Sequence, residues 1–118
     1  MVKNPSLNIC IPVYNEEKEL EESVMTLNGF LSRELDDFNW KITIIDNASK
    51  DETYAIAKSL GSRFDRVRAI HVDQKGRGRA VKYAWTKYPA DVNAYMDIDL
   101  STDLKHFSSL VRSLVRGY

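Results

Sequence analysis

Val92-Asn93-Ala94-Tyr95-Met96, followed by Asp97-Ile98-Asp99-Leu100-Ser101-Thr102-Asp103, is the stretch on which the fold turns. Its first five residues read as a short buried strand. Beyond it, Leu104, Phe107, Leu110, Val111 and Leu114 recur at helical spacing. A strand therefore hands over to a helix through a loop that opens with two carboxylates one residue apart. Side chains at i and i+2 of an extended chain point the same way, so Asp97 and Asp99 are expected to face one small volume. Two anions held together call for a cation, and a hard divalent ion with oxygen ligands, Mg²⁺ or Mn²⁺, suits them. The plain alternative is a pair of solvated loop acids, with Asp103 starting the next helix.

Outward from this stretch the chain alternates strand and helix. Leu7 to Val13 is an apolar strand broken by Tyr14 and Asn15. Asn15 is expected to cap the helix that follows, with Glu16 and Glu17 in its first turn, where carboxylates favour the helix dipole. Leu20, Val24, Leu27 and Leu31 form that helix's apolar stripe. Trp40 to Asp46 is a second strand, and Ser49 with Glu52 has capping-box spacing for a second helix, buried through Tyr54, Ala57, Leu60 and Phe64. Val67 to Val72 is a third strand, and Gly76 to Tyr88 a third helix stopped by Pro89. Four strand–helix units with short connections predict an α/β domain with a parallel sheet and right-handed crossovers.

Composition narrows the function classes. The chain has 118 residues, room for one domain with a core, and 17 basic side chains balance 17 acidic ones. No global field recruits nucleic acid or membrane, so any electrostatic function is local. The single cysteine, Cys10, lies in an apolar run and reads as a buried structural thiol, consistent with a reducing compartment. No apolar run is long enough to span a bilayer, and the first residues lack a signal-peptide pattern.

In a parallel sheet the C-terminal ends of all strands share one edge, where ligands bind. Those ends carry Tyr14, Asn15 and Glu16; Asp46, Asn47 and Ser49; Asp73, Gln74 and Lys75; and Asp97 with Asp99. Caps account for Asn15 and Ser49 but not for Asp46 and Asp97. The segment Lys75-Gly76-Arg77-Gly78-Arg79-Ala80 puts three cations at a helix start, where the dipole disfavours each by about 0.3–1 kcal/mol. An anion held there offsets that cost, and Gly76 and Gly78 let backbone N–H groups approach a phosphate. A solvated basic turn is the alternative. Val81 stands where a dinucleotide fingerprint requires glycine, and the chain has no P-loop, so those two nucleotide-binding classes fall away.

Four stretches in order and spacing, Ile11-Pro12-Val13-Tyr14-Asn15-Glu16-Glu17, Ile45-Asp46-Asn47-Ala48-Ser49-Lys50-Asp51-Glu52-Thr53, Lys75 to Ala80 and Asp97-Ile98-Asp99-Leu100-Ser101, resemble the family-2 glycosyltransferases. The similarity is nearest to the branch with dolichol-phosphate mannosyl- and glucosyltransferases. The resemblance implies a Rossmann-like GT-A nucleotide-binding half, its parallel sheet in the order 3-2-1-4 and flanked by helices. It also implies a UDP- or GDP-hexose donor and a divalent metal, Mg²⁺ or Mn²⁺, held by the DxD stretch. Carried over by position, Pro12, Tyr14 and Glu16 fall where the family touches the nucleotide. Asp46 and Asn47 fall on its acidic pair near the base, and Asp97 and Asp99 on its ribose- and metal-contacting carboxylates. Lys75, Arg77 and Arg79 are the expected diphosphate contacts.

Two positions depart from the family pattern. Asn47 stands where a second aspartate is usual, and an amide donates as well as accepts, which leaves the base open. Ser101 stands where the mannosyltransferase branch has a metal-holding glutamine. The implied reaction is inverting transfer of a hexose to a polyprenyl phosphate or glycan. Metal and cations would stabilise the leaving diphosphate. Neither His71 nor His106 is taken as a catalytic base. Residues 1–118 are expected to be the donor-binding part, with acceptor site, base and any membrane segment lying further on and no turnover by this stretch alone. The expected setting is cytoplasmic, at the cytoplasmic face of a membrane if those later segments attach to one. A non-catalytic nucleotide or nucleotide-sugar binding module is the competing reading.

Overall fold

A computed structural model of the chain describes residues 4–73, 76–100 and 103–116. Strand and helix alternate as β1 (Ser6–Val13), α1 (Leu20–Glu34), β2 (Asn39–Asn47), α2 (Thr53–Arg63), β3 (Val67–Val72), α3 (Arg77–Lys87), β4 (Val92–Tyr95) and α4 (Leu104–Val115). The strands form one parallel sheet in the order β3-β2-β1-β4, the order expected from the sequence. β1 and β2 are in its centre and buried almost throughout, which is why both read as near-continuous apolar runs.

The two sheet faces differ, and the difference follows from the strand order. Moving from β1 to β2 to β3 with right-handed crossovers puts α1 and α2 on one face; the return from β3 to β4 puts α3 on the other. Leu7, Ile9, Ile11 and Val13 of β1 accordingly join Leu20, Val24, Leu27 and Leu31 of α1, Ala57 and Leu60 of α2, and Phe107 and Val111 of α4 in the larger core. Cys10, Ile45 and Ile70 meet Ala80, Val81 and Ala84 of α3 in a smaller one. The smaller face admits a polar network. Buried Thr43 donates its hydroxyl to Asn8 Oδ1 at 2.7 Å, and Arg68 Nε donates to that hydroxyl at 2.9 Å while its guanidinium stacks 3.7 Å from the Tyr88 ring. Cys10 is fully buried, and burial pushes its thiol up to about 11.

Several local expectations are corrected. Asn15 does not cap α1, which begins at Leu20 after a turn closed by Glu19 and Leu20 N–H groups on Glu16 O. Instead Asn15 adopts a left-handed φ of 52° and its Oδ1 accepts from Lys50 N at 2.9 Å, while its own N–H donates to Ser49 Oγ at 2.9 Å. The Ser49–Glu52 capping box is likewise absent. Ser49 is used across the loops, and Asp51 accepts from the Thr53 N–H and hydroxyl at the start of α2. In both places a side chain that could cap its own helix binds the neighbouring loop. Asp103 does cap α4, accepting from Lys105 N at 3.0 Å and His106 N at 3.4 Å. On α4, Phe107 and Val111 are buried but Leu110 and Leu114 stay about half exposed, so only part of the apolar stripe reaches the core.

Candidate functional site

A cavity of about 540 Å³ opens at the C-terminal edge of the sheet, lined by Pro12, Val13, Tyr14, Glu16, Asn47, Arg77, Asp97, Ile98 and Asp99. It lies between the ends of β1 and β4, where the strand order reverses, which is where open α/β sheets bind ligands. Neighbouring β1 and β2 end level, with Val13 opposite Asp46. The loops after β1, β2 and β4 each hold a non-glycine residue in the left-handed region: Asn15 at φ 52°, Ala48 at 60° and Leu100 at 53°. Such positions cost energy and persist where the surroundings fix them, commonly around ligand sites.

Asp97 and Asp99 both face the cavity, though not by strand alternation. β4 ends at Tyr95, and residues 97–100 form a turn closed by Leu100 N on Asp97 O at 3.0 Å. Asp97 Oδ1 is buried without a hydrogen bond of good geometry but stands 3.1 Å from Arg77 Nη1, an ion pair between half-exposed side chains. Glu16 has its carboxyl held above the ordinary range, first by burial, then by Glu19 and by the charges of Asp51 and Asp99. The cavity thus has a crowded acidic wall and a cationic one. Among the described residues no three metal-ligating side chains converge as a ready-made cage. Asp97 and Asp99 fit an ion that completes its shell with water and ligand oxygens, the usual habit of small hard cations.

Of the expected site residues, Pro12, Tyr14, Glu16, Asn47, Arg77, Asp97 and Asp99 meet at this cavity. Arg79 lies on the exposed first turn of α3 but not on the cavity wall; Lys75 and Ser101 lie outside the described residues. Asp46 is fully buried behind the wall, its Oδ2 2.7 Å from His71 Nδ1 and its Oδ1 without a hydrogen-bond partner. Sequence reasoning missed Val13 and Ile98 as lining residues, and missed the Asn15–Ser49 and Glu16–Thr53 links that fix the rim. Residues 34 and 37 apart in sequence leave no periodic signal. The level ends of parallel β1 and β2 were the available clue.

Comparison with known proteins agrees with this geometry. Residues 8–118 match the family described as Glycosyl transferase family 2. The glycosyltransferase AglD of Haloferax volcanii is 32% identical over 116 residues, covering 94% of this chain and 18% of that protein. The dolichol-phosphate mannosyltransferase of Pyrococcus furiosus is 28% identical over 111 residues, covering 94% of this chain and 30% of its own length. Among solved structures, the mannosyltransferase PcManGT of Pyrobaculum calidifontis, in complex with GDP-Man and Mn²⁺, superposes with a TM-score of 0.74 at 19% identity, over 95% of this chain and 33% of that one. The chain therefore spans about a fifth to a third of these relatives and shares the GT-A fold of the structural neighbour. With nearly its whole length matched, the chain belongs to glycosyl transferase family 2.

Proposed function

We propose that this chain is the donor-binding part of a glycosyltransferase that holds a nucleoside-diphosphate hexose for inverting transfer to a polyprenyl phosphate or glycan. The observation that carries the reading is the cavity at the sheet's switch point, with Asp97, Asp99 and Glu16 on one wall and Arg77 beside them. Asp99 ligates a divalent ion, Mg²⁺ or Mn²⁺, and Asp97 supports it or binds the ribose. A structural neighbour carrying GDP-Man and Mn²⁺ supports that choice. Bound there, the ion would supply Lewis-acid stabilisation of the leaving diphosphate. Arg77, paired here with Asp97, would be the side chain that reaches the diphosphate. Tyr14 and Pro12 flank the nucleoside, and Asn47 presents an amide to the base. That amide both donates and accepts, so the base is UDP- or GDP-type without further commitment.

The acceptor class rests on the relatives that act with dolichol or dolichyl phosphate. A phosphate acceptor is ionised already and needs no general base. The proposed setting is cytoplasmic, supported by a single buried free thiol; among the described residues no helix is long and apolar enough to cross a membrane. The test is release of nucleoside diphosphate from UDP-glucose or GDP-mannose by the protein containing this domain, with and without a polyprenyl phosphate. Acceptor-dependent release supports the transferase. Tight donor binding with no such release under any acceptor identifies a binding module instead.

A further inference from the structure

His71, near the end of β3, lies outside the cavity wall and has no part in the reading above. Its imidazole is bracketed by two carboxylates: Nδ1 is 2.7 Å from Asp46 Oδ2 and Nε2 is 2.8 Å from Asp73 Oδ1. A neutral imidazole has one N–H, so it serves one carboxylate and turns a lone pair on the other; only imidazolium serves both. The two ends are unequal, since Asp46 is fully buried while the Asp73 side chain is 91% exposed. Tyr54 of α2 covers the ring at 5.0 Å between centroids, with Lys58 Nζ in turn 5.0 Å from the Tyr54 ring. These are the titratable groups that meet the imidazole among the described residues.

The ring therefore ties two places that the donor site needs in register. Asp46 precedes Asn47 on the cavity wall, and Asp73 begins the connection to Gly76, at φ 140°, and to Arg77 at the start of α3. We propose that His71 is a positioning residue which, as imidazolium, clasps Asp73 onto the end of β2 and so sets where Arg77 stands relative to a bound diphosphate. The proposal rests on the donor-site reading. Loss of the proton leaves the one N–H with Asp46, because a buried carboxylate stripped of its donor costs more than a solvated one. The clasp then opens at Asp73. Hydrogen bonding to Asp46 raises the imidazole's pKa from 6.5 against the opposing effect of burial, and Asp73 adds to the rise. The clasp is closed below that ordinary value and opens as pH climbs through a higher one.

The substitution Asp73→Asn isolates the effect without touching the core. An amide accepts from imidazolium or donates to the bare Nε2 of the neutral ring, so the link survives in both states. Heteronuclear NMR across about pH 5 to 8 should show the Gly76 and Arg77 amides shifting with the His71 ring in the wild type, and no longer in the variant. In parallel, GDP-mannose and UDP-glucose, whose phosphodiester charges stay constant over that range, are titrated with Mn²⁺. Wild-type affinity should fall about two- to fivefold from the acid to the alkaline end, the scale of an exposed ion pair, and the variant's should stay flat. Amides that ignore the His71 titration, or identical affinity profiles for the two proteins, overturn the proposal. Absence of nucleotide-sugar binding at every pH, with amides still following His71, sinks the donor-site reading and the link to diphosphate while the clasp itself stands.

Discussion

Glu16 lies against the carboxylates of the cavity, and burial followed by the charges of Glu19, Asp51 and Asp99 raises its pKa. The sign is that of a group better protonated in the fold: its contribution is most favourable below 4.5 and is lost as pH rises through the raised value. At neutral pH the ionised cluster is therefore a local cost. Asp99→Asn should make the metal-free protein slightly more stable, by less than about 1 kcal/mol, in urea denaturation. A loss of stability on that change would mean the aspartate serves the fold rather than a ligand. Ala48 is a second strained residue, at φ 60°. Ala48→Gly should raise stability by up to about 1 kcal/mol, since glycine accepts that backbone at no steric cost, offset in part by its freer unfolded chain. An unchanged or lowered midpoint would show that packing of the methyl outweighs the strain.

At the scale of elements, periodicity and breaker residues located all eight segments, but β4, expected as a buried strand, is an outer strand with Val92 and Ala94 half-buried and Asn93 and Tyr95 exposed. The α1 stripe is the clearest case, its four residues having no exposure at all. Leu27→Ala should cost about 2–5 kcal/mol, while Leu110→Ala on α4 should stay within about 0.5 kcal/mol, both read from chemical denaturation. Comparable losses at the two positions would contradict the assignment of Leu110 to the surface. What periodicity does not carry is the use of polar side chains. Asn15 and Ser49 look like caps for their own helices, yet their partners lie across the loops. Asp51, one residue before the N-cap position, accepts from Thr53 instead. Asp103 was legible because its partners are two and three residues away. Local contacts can be read from spacing; contacts between neighbouring strand ends require the sheet order first.

At the scale of the whole molecule, the reversal of strand order between β1 and β4 gathers residues from every third of the chain at one cavity. The pH response is spread over both edges of the sheet. Asp37, hydrogen-bonded by Arg112, and Asp51, hydrogen-bonded by Thr53, have lowered pKa values, so their support is present above about 3.8 and is lost as acid protonates them. His71, raised, supports the fold fully below 6.5 and less as pH climbs through its shifted value. Thermal stability should therefore peak between these limits, and His71→Gln should flatten the alkaline side without altering the acid side. An alkaline limb unchanged in that variant would remove His71 from the account.

The central claim is that Asp99 holds a divalent ion for the donor's diphosphate. On that claim, phosphates bound without the ion would face Asp97 and Asp99 directly; a pair of unit charges at 4 Å and an effective dielectric of 20 repels by about 4 kcal/mol before relaxation and screening. Calorimetric titration of GDP-mannose and UDP-glucose into wild type and Asp99→Asn, with and without Mn²⁺, measures it directly. Wild type should bind at least one of them about tenfold or more tighter with the metal, and the variant should lose that gain while keeping its fold. A wild type indifferent to Mn²⁺, or a variant that retains the full metal effect, would contradict the claim.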